Sequence, residues 1–110
     1  MRLLYTILVA FPFVSGVSLQ PPTNPHVGAI TDINWINGAR DPPTWGLFLM
    51  NISQAFDLKA NFGVIDPKPQ TVRVTLPSTL RPSNDYVLYA VNVSNWDQVL
   101  GSSGRFSISA

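Results

Sequence analysis

The chain of 110 residues lacks cysteine and glutamate, and it has one histidine. Without cysteine, the chain has no disulfide, thiol nucleophile or cysteine-ligated zinc. His26 has no second histidine with which to form a transition-metal or nucleophile–base site. The acids are all aspartates, scattered where turn formation explains them better than a glycosidase pair does. The composition therefore predicts a protein that is not an enzyme and that uses no cofactor.

Charge is also scarce, because charged residues make up 12% of the chain and the net charge is +1. The sequence contains no run of basic residues. Binding to nucleic acid or to an anionic membrane rests on such basic patches. The charge pattern therefore predicts that neither nucleic acid nor a membrane surface is the main partner.

The one long apolar run, Leu3–Val14, follows Arg2 and precedes small residues. It is shorter than the roughly 20 residues that span a bilayer, and Pro12 interrupts it. This pattern is typical of a Sec signal peptide over residues 1–16, cleaved after Gly16 or after Ser18. We therefore expect a secreted chain whose mature form has no transmembrane segment.

The residues that are plentiful favour strands and turns: Val, Ile, Thr and aromatic residues, with ten Pro and seven Gly. We predict an extended lead-in over residues 17–28 and one all-β domain over residues 29–110. The predicted strands are Ala29–Ile36, Trp45–Asn51, Phe56–Phe62, Thr71–Leu76, Asp85–Val93 and Arg105–Ser109, with a loop or hairpin tip over Ser94–Gly104. A helix through Ile52, Phe56 and Lys59 competes with the third strand, but its apolar stripe is poorer. Short strands separated by turns indicate an immunoglobulin- or fibronectin-III-like β-sandwich of about seven strands.

Strand alternation selects the residues that face the core. The third strand should direct Phe56, Leu58, Ala60 and Phe62 inward. The predicted structural core contains Trp35, Trp45, Val72, Val74, Tyr86, Leu88, Phe106 and Ile108. Tyr86 also occupies the position of a tyrosine corner, in which the phenol hydroxyl bonds a nearby backbone group. Val87, Tyr89 and Val91, on the other face of the same strand, must be covered or form a contact surface, and we expect a neighbouring loop to cover them.

Trp96 lies in the polar segment SNWDQ, where no strand periodicity requires it. An exposed Trp can stack on the apolar face of a sugar ring or anchor a protein interface. Asp97 and Gln98 could add hydrogen bonds to a sugar. The alternative is that Trp96 folds back over the end of the sandwich. Asn51 and Asn92 begin N-glycosylation sequons, and Asn51, at a strand end before a loop, is the better candidate.

Several short motifs occur in an order that resembles a known family. They are Trp35 at the end of an alternating strand, LPSTL at Leu76–Leu80, NDYVL at Asn84–Leu88 and SGRFSIS at Ser103–Ser109. Together they resemble the N-terminal domain of the fungal cell-wall Kre/Knh family, also described as Ser/Thr-rich GPI-anchored membrane proteins. The resemblance covers roughly residues 22–110. It implies an immunoglobulin-like sandwich, a secreted and wall-associated role linked to β-glucan assembly, and no catalytic residues.

The expected function is therefore that of a secreted, non-catalytic fungal wall protein that contacts wall polysaccharide or another wall or extracellular protein. Family members typically continue into a Ser/Thr-rich tail and a hydrophobic GPI signal, whereas this sequence ends just after the last predicted strand. A GPI anchor is thus not expected from the sequence as it stands. The alternative function is that of a small secreted interaction module, such as an effector, that binds a partner protein away from the wall.

Overall fold

A computed structural model of the chain describes residues 16–38, 41–53 and 57–110. Over these residues the structure is all-β and contains no helix, which confirms the fold class expected from the composition. The strands are β1 (Ser18–Leu19), β2 (Ile30–Ile36), β3 (Trp45–Asn51), β4 (Asp57–Ile65), β5 (Thr71–Thr75), β6 (Ser83–Asn92), β7 (Asn95–Ser102) and β8 (Phe106–Ile108). The predicted signal peptide lies outside the described residues except for Gly16, and Phe56 also lies outside them.

The strands form two antiparallel sheets. The three-stranded sheet has the order β1-β2-β5, and the five-stranded sheet has the order β4-β3-β6-β7, with β8 also paired to β6. β7 pairs with the end of β6 near Asn92, whereas β8 pairs with its beginning near Ser83, so β7 and β8 together flank one edge of β6. The two sheets form a β-sandwich. Its assignment to the immunoglobulin-like class stays a prediction.

The core lies between the two sheets because each contributes alternate side chains to it. Trp35 of β2 and Trp45 of β3 meet edge to face, with ring centroids 4.9 Å apart and ring planes at 74°. The Trp35 indole Nε1 donates hydrogen bonds to Asn37 Oδ1 and to the Pro67 carbonyl. By contrast, Trp45 Nε1 is buried with no hydrogen-bond partner among the described residues. The two tryptophans therefore pack the sheets together, and one of the two indole N–H groups, that of Trp45, has no hydrogen-bond acceptor among the described residues.

Most of the predicted core residues are buried. The buried ones are Trp35, Trp45, Tyr86, Leu88, Phe106 and Ile108. Val72 and Val74 are half-buried and pack against this core from β5, which is an edge strand with one sheet neighbour. The tyrosine corner is present, because the Tyr86 hydroxyl donates a 2.6 Å hydrogen bond to the Arg81 carbonyl.

Two expectations from strand alternation are wrong. Leu58 was expected inside but is 48% exposed, because β4 contains register shifts opposite β3 that turn Leu58 to the outer face. Ala60 and Phe62 do pack against the core, as expected. The segment Ser94–Gly104, expected as a loop or hairpin tip, contains strand β7, and only Val93–Ser94 forms the turn. Its irregular pairing with β6 hides the alternation that would have identified a strand.

The break between β7 and β8 is held by Ser103, a buried polar residue. The Leu88 backbone N–H donates to Ser103 Oγ over 2.9 Å, and the Ser103 hydroxyl donates to the Gly104 carbonyl over 2.8 Å. The Ser103 backbone N–H donates in turn to the Leu88 carbonyl. A side-chain oxygen thus replaces the backbone acceptor that a continuous strand would have offered to Leu88.

Candidate contact surface

The outer faces of the two sheets differ in chemistry. On the three-stranded sheet, the cross-strand pairs Ile30–Thr75, Asp32–Arg73 and Asn34–Thr71 point away from the core. Asp32 accepts a 3.0 Å ion-paired hydrogen bond from Arg73, which raises the already high pKa of this guanidinium. We call these six residues and Ile36 the polar face. Along β2 its members alternate with the core residues, as expected for a sheet with one side in solvent.

The outer face of the five-stranded sheet is mostly apolar. Three rows of cross-strand neighbours cross it, since residues paired directly across two strands share a face. We call this surface the apolar face. It consists of Gly46, Phe48, Met50, Leu58, Val64, Val87, Tyr89, Val91, Trp96 and Val99, with the polar residues Asn61 and Ser102 at the two ends of its middle row. It contains no charged residue, and four of its members, Leu58, Val64, Trp96 and Val99, are exposed large hydrophobic residues. A sheet that is apolar on both sides has more hydrophobic surface than its own core requires.

Trp96 reaches this face through an irregularity in β7. Asn95 pairs with Asn92 and Val99 pairs with Val91, so that Trp96, Asp97 and Gln98 have no partner in the register with β6. Such a bulge redirects the side chains it carries. The indole extends across Val91 to β3, where its Cζ3 lies 2.8 Å from the position that a Cβ atom of Gly46 would occupy.

The Trp96 indole also stacks on Phe48, with ring centroids 5.3 Å apart and planes within 4° of parallel. Phe48 is the direct cross-strand neighbour of Tyr89. Trp96, Phe48 and Tyr89 therefore form an aromatic cluster on the apolar face, in which Phe48 stacks on Trp96 and lies opposite Tyr89 on the neighbouring strand. Trp96 keeps 48% of its surface exposed, so the outer side of its indole is open to a partner.

Val87 and Val91 are buried and Tyr89 is half-buried. Burial raises the pKa of the Tyr89 phenol above its ordinary value, because the phenolate would lose hydration beside these apolar neighbours. The sequence predicts that a loop covers this side of β6. Over Val91 the covering group is Trp96, which belongs to a strand, and the face as a whole still exposes Val64 and Val99.

Asp97 and Gln98 are both exposed beside Trp96. Gln98 Oε1 accepts a 2.8 Å hydrogen bond from Asn92 Nδ2, and the Asp97 backbone N–H donates to Asn95 Oδ1. The bulge thus brings the three predicted contact residues to one end of the sheet, where Trp96 supplies an apolar plane and its neighbours supply polar groups.

The two sequon asparagines have different surroundings. Asn51 Oδ1 accepts hydrogen bonds from both the backbone N–H and the hydroxyl of Ser53, at 2.9 and 2.7 Å. Asn92 uses its amide nitrogen to bond Gln98, the nitrogen to which a glycan would be attached. Asn51 also borders a polar pocket of about 210 Å³ lined by Lys59, Thr79, Leu80, Arg81 and Tyr86. The preference for Asn51 as the glycan acceptor stays a prediction.

The described residues offer little for a metal site or for a catalytic site that uses histidine. No cluster of three His, Cys, Asp or Glu side chains in this part of the chain could hold a metal ion. His26 Nδ1 lies 3.2 Å from the Ala110 carbonyl oxygen, and a parallel bridge joins His26 to Ser109, so this histidine has a structural setting. No helix in the described ranges is long and apolar enough to cross a membrane.

Sequence reasoning missed Phe48 and Gly46 as members of this surface. Gly46 carried a usable signal, because a glycine inside a strand often marks the close approach of another group. Phe48 alternates with the core residues Leu47 and Leu49, so the strand pattern alone directs its side chain to the outer face. Its contact with Trp96 depends on the bulge in β7, which the sequence did not reveal.

Comparison with protein-family models, with curated proteins and with solved structures gives no match for the chain. The resemblance to the Kre/Knh family consequently stays a prediction from the motifs quoted above.

Proposed function

We propose that the protein is a secreted, non-catalytic binding module of the fungal cell wall, which contacts an uncharged wall polysaccharide through its apolar face. The predicted signal peptide and the motif resemblance support the location, and the aromatic cluster supports the mode of contact. A role in wall organisation or β-glucan assembly follows from the same resemblance.

The observation that carries this proposal is the contrast between the two outer faces. One is polar and includes the Asp32–Arg73 ion pair, whereas the other is mostly apolar and carries the aromatic cluster of Trp96, Phe48 and Tyr89. An uncharged polysaccharide offers flat C–H faces that stack on aromatic rings and hydroxyl groups that bond amides and carboxylates. Gln98 and Asp97 lie beside Trp96 and can meet those hydroxyls.

A second candidate function is that of a secreted interaction module that binds a protein partner away from the wall. The aliphatic residues of the apolar face favour it, because Leu58, Val64 and Val99 are exposed and have no aromatic plane for a sugar. Apolar centres with polar rims are typical of protein interfaces. This candidate requires that the protein be recovered from the culture medium, while the wall-bound candidate requires that it fractionate with the wall.

The experiment is a pull-down of the purified protein on insoluble wall polysaccharides, with Trp96→Ala as the test variant. We expect retention of the wild type and a loss of about fivefold or more in the affinity of Trp96→Ala, since stacking on one aromatic ring contributes about 1–3 kcal/mol by analogy with base stacking. Ile36→Ala is the matched control, because Ile36 is 60% exposed but belongs to the polar face.

Equal retention of the wild type and Trp96→Ala would contradict the assignment of the surface. Failure of the wild type to bind any wall polysaccharide would contradict the glycan proposal and favour the protein-binding module. Loss of retention in Ile36→Ala as well would show that the binding is not specific to the apolar face.

A further inference from the structure

The first described residues of the chain connect the two sheets of the sandwich. The Val17 backbone N–H donates a 3.2 Å hydrogen bond to the Leu100 carbonyl of β7, in the five-stranded sheet. Ser18 and Leu19 pair with Ile36 and Trp35 of β2, in the three-stranded sheet. Residues 17–19 thus contribute to the domain itself and close one side of the sandwich.

Val17 and Leu19 are also core residues, each 4% exposed. Between them, Ser18 points outward and is exposed, so this short segment follows the alternation of an edge strand. The Gln20 N–H continues the pairing by donating a 2.9 Å hydrogen bond to the Asn34 carbonyl. The strand therefore depends on residues on both sides of Ser18.

Gly101 shows how closely β7 fits against the start of this strand. A Cβ atom at Gly101 would overlap the Val17 carbonyl oxygen and would also lie 2.8 Å from the Val17 carbonyl carbon. The absence of a side chain at position 101 is what allows the Val17 backbone to lie against β7. Val17 is consequently positioned by a hydrogen bond, by burial and by backbone contact.

We infer that signal peptidase cuts this chain between Gly16 and Val17, and that Val17 is the first residue of the mature protein. Export, as proposed above, is the premise. The sequence permits two cleavage positions, since small residues precede both. Cleavage after Ser18 would remove Val17 from the core, together with its bond to Leu100 and the Ser18 pairing with Ile36. Cleavage after Gly16 leaves the whole strand in the mature chain.

The reaction is a peptide-bond hydrolysis. The hydroxyl of a water molecule adds to the Gly16 carbonyl carbon, the bond from that carbon to the Val17 nitrogen breaks, and the nitrogen takes up the proton. The new α-amino group keeps N–H donors at the position from which Val17 bonds the Leu100 carbonyl. Processing at this bond therefore preserves the observed contact and makes its donor a cation at neutral pH.

The test is expression of the full 110-residue chain in a fungal secretory host, followed by intact mass and N-terminal sequencing of the exported protein. We expect one N-terminus, at Val17. An exported chain that begins at Leu19, or at another residue, overturns the inference while leaving export intact. A chain that keeps Met1 contradicts both export and the cleavage site.

Two variants place a bulky residue at a position where the peptidase needs a small one. Ser18→Trp blocks the site after Ser18 but not the site after Gly16, and the exposed position of Ser18 accommodates the larger side chain. Val14→Trp blocks only the site after Gly16. We expect Ser18→Trp to be exported with Val17 first, and Val14→Trp to lose at least tenfold of that product. The opposite pattern would contradict the inference.

Discussion

The Trp96 indole covers the space that a side chain at Gly46 would fill, since its Cζ3 lies 2.8 Å from the position of a Cβ atom at residue 46. The position of the Trp96 indole therefore depends on the missing side chain at Gly46 in β3 as well as on the bulge in β7. Val91 limits the space further, with its Cγ2 atom 3.2 Å from the same position. A methyl group at residue 46 must displace one of these side chains.

The variant Gly46→Ala should consequently move Trp96, because the indole is half exposed and Val91 is enclosed in the sheet. We expect a loss of about 1 kcal/mol in the free energy of unfolding, typical of a small group inserted at a packed position. The near-UV circular dichroism of the Trp96 and Phe48 rings should weaken, as should polysaccharide retention. Chemical denaturation and near-UV spectra measure the two effects.

Gly104→Ala is the matched control for that variant, because a Cβ at Gly104 has nothing within 4 Å. It should leave stability, spectrum and binding unchanged. If Gly46→Ala binds polysaccharide like the wild type and has the same near-UV circular dichroism, then the position of Trp96 is not set by the glycine.

The Tyr89 phenol provides a pH test of the apolar face. Burial raises its pKa above the ordinary value of 10.0, so the unfolded chain loses this proton before the folded chain does. The unfolded state is then favoured as the pH rises, and stability falls between pH 10 and the pKa of the folded state. We expect the free energy of unfolding of the wild type to drop more steeply between pH 9 and 11 than that of Tyr89→Phe.

Urea denaturation at several pH values measures this difference. Any pH-independent effect of removing the hydroxyl shifts the whole Tyr89→Phe curve and does not alter its slope. Parallel curves for the two proteins would mean that the Tyr89 phenol is as well hydrated as in the unfolded chain.

The two core tryptophans allow a comparison of satisfied and unsatisfied indole nitrogens. Trp35→Phe removes hydrogen bonds to Asn37 and Pro67, whereas Trp45→Phe removes an N–H that has no partner among the described residues. Both substitutions remove similar volume from buried sites. We expect Trp35→Phe to be more destabilising, by about 1 kcal/mol, the net value of a typical buried hydrogen bond. Thermal or urea unfolding of the pair decides this, and a larger loss in Trp45→Phe would contradict it.

Ser103→Ala tests the polar link between β7 and β8. Without the hydroxyl, the buried Leu88 N–H loses its acceptor, and we expect a loss of about 1–3 kcal/mol in the free energy of unfolding. The neighbouring exposed residue offers the control Ser102→Ala, for which we expect a change within about 0.5 kcal/mol. A small effect of Ser103→Ala would indicate that water replaces the serine as acceptor.

Much of the sandwich could be predicted because its strands alternate regularly. The pattern of β2 placed Trp35 inside, and that of β3 placed Trp45 inside, as the structure confirms. Most of these strands are followed within two residues by Pro, Gly or Asn, which favour turns. The tyrosine corner was predictable too, since Tyr86 follows a proline-rich turn at the start of a long strand.

The contact surface could be predicted only in part, because it depends on bulges. A bulge adds residues without a partner, so the side-chain alternation on either side of it loses phase. In β4 this turned Leu58 outward, and in β7 it made a strand resemble a polar loop. Trp96 is about half exposed but also packs back onto the sheet, and its stacking on Phe48 depends on pairing across three strands. No local sequence pattern contains that information.

The central claim is that the apolar face, and not the polar face, contacts the partner. One lysine introduced on each face tests it: Val99→Lys on the apolar face and Ile30→Lys on the polar face, both at exposed positions that should accept a charge without unfolding. The measurement is the binding isotherm of each variant on a purified wall fraction. We predict that Val99→Lys weakens binding at least tenfold while Ile30→Lys binds like the wild type. Unchanged binding of Val99→Lys, or an equal loss in both variants, would contradict the claim.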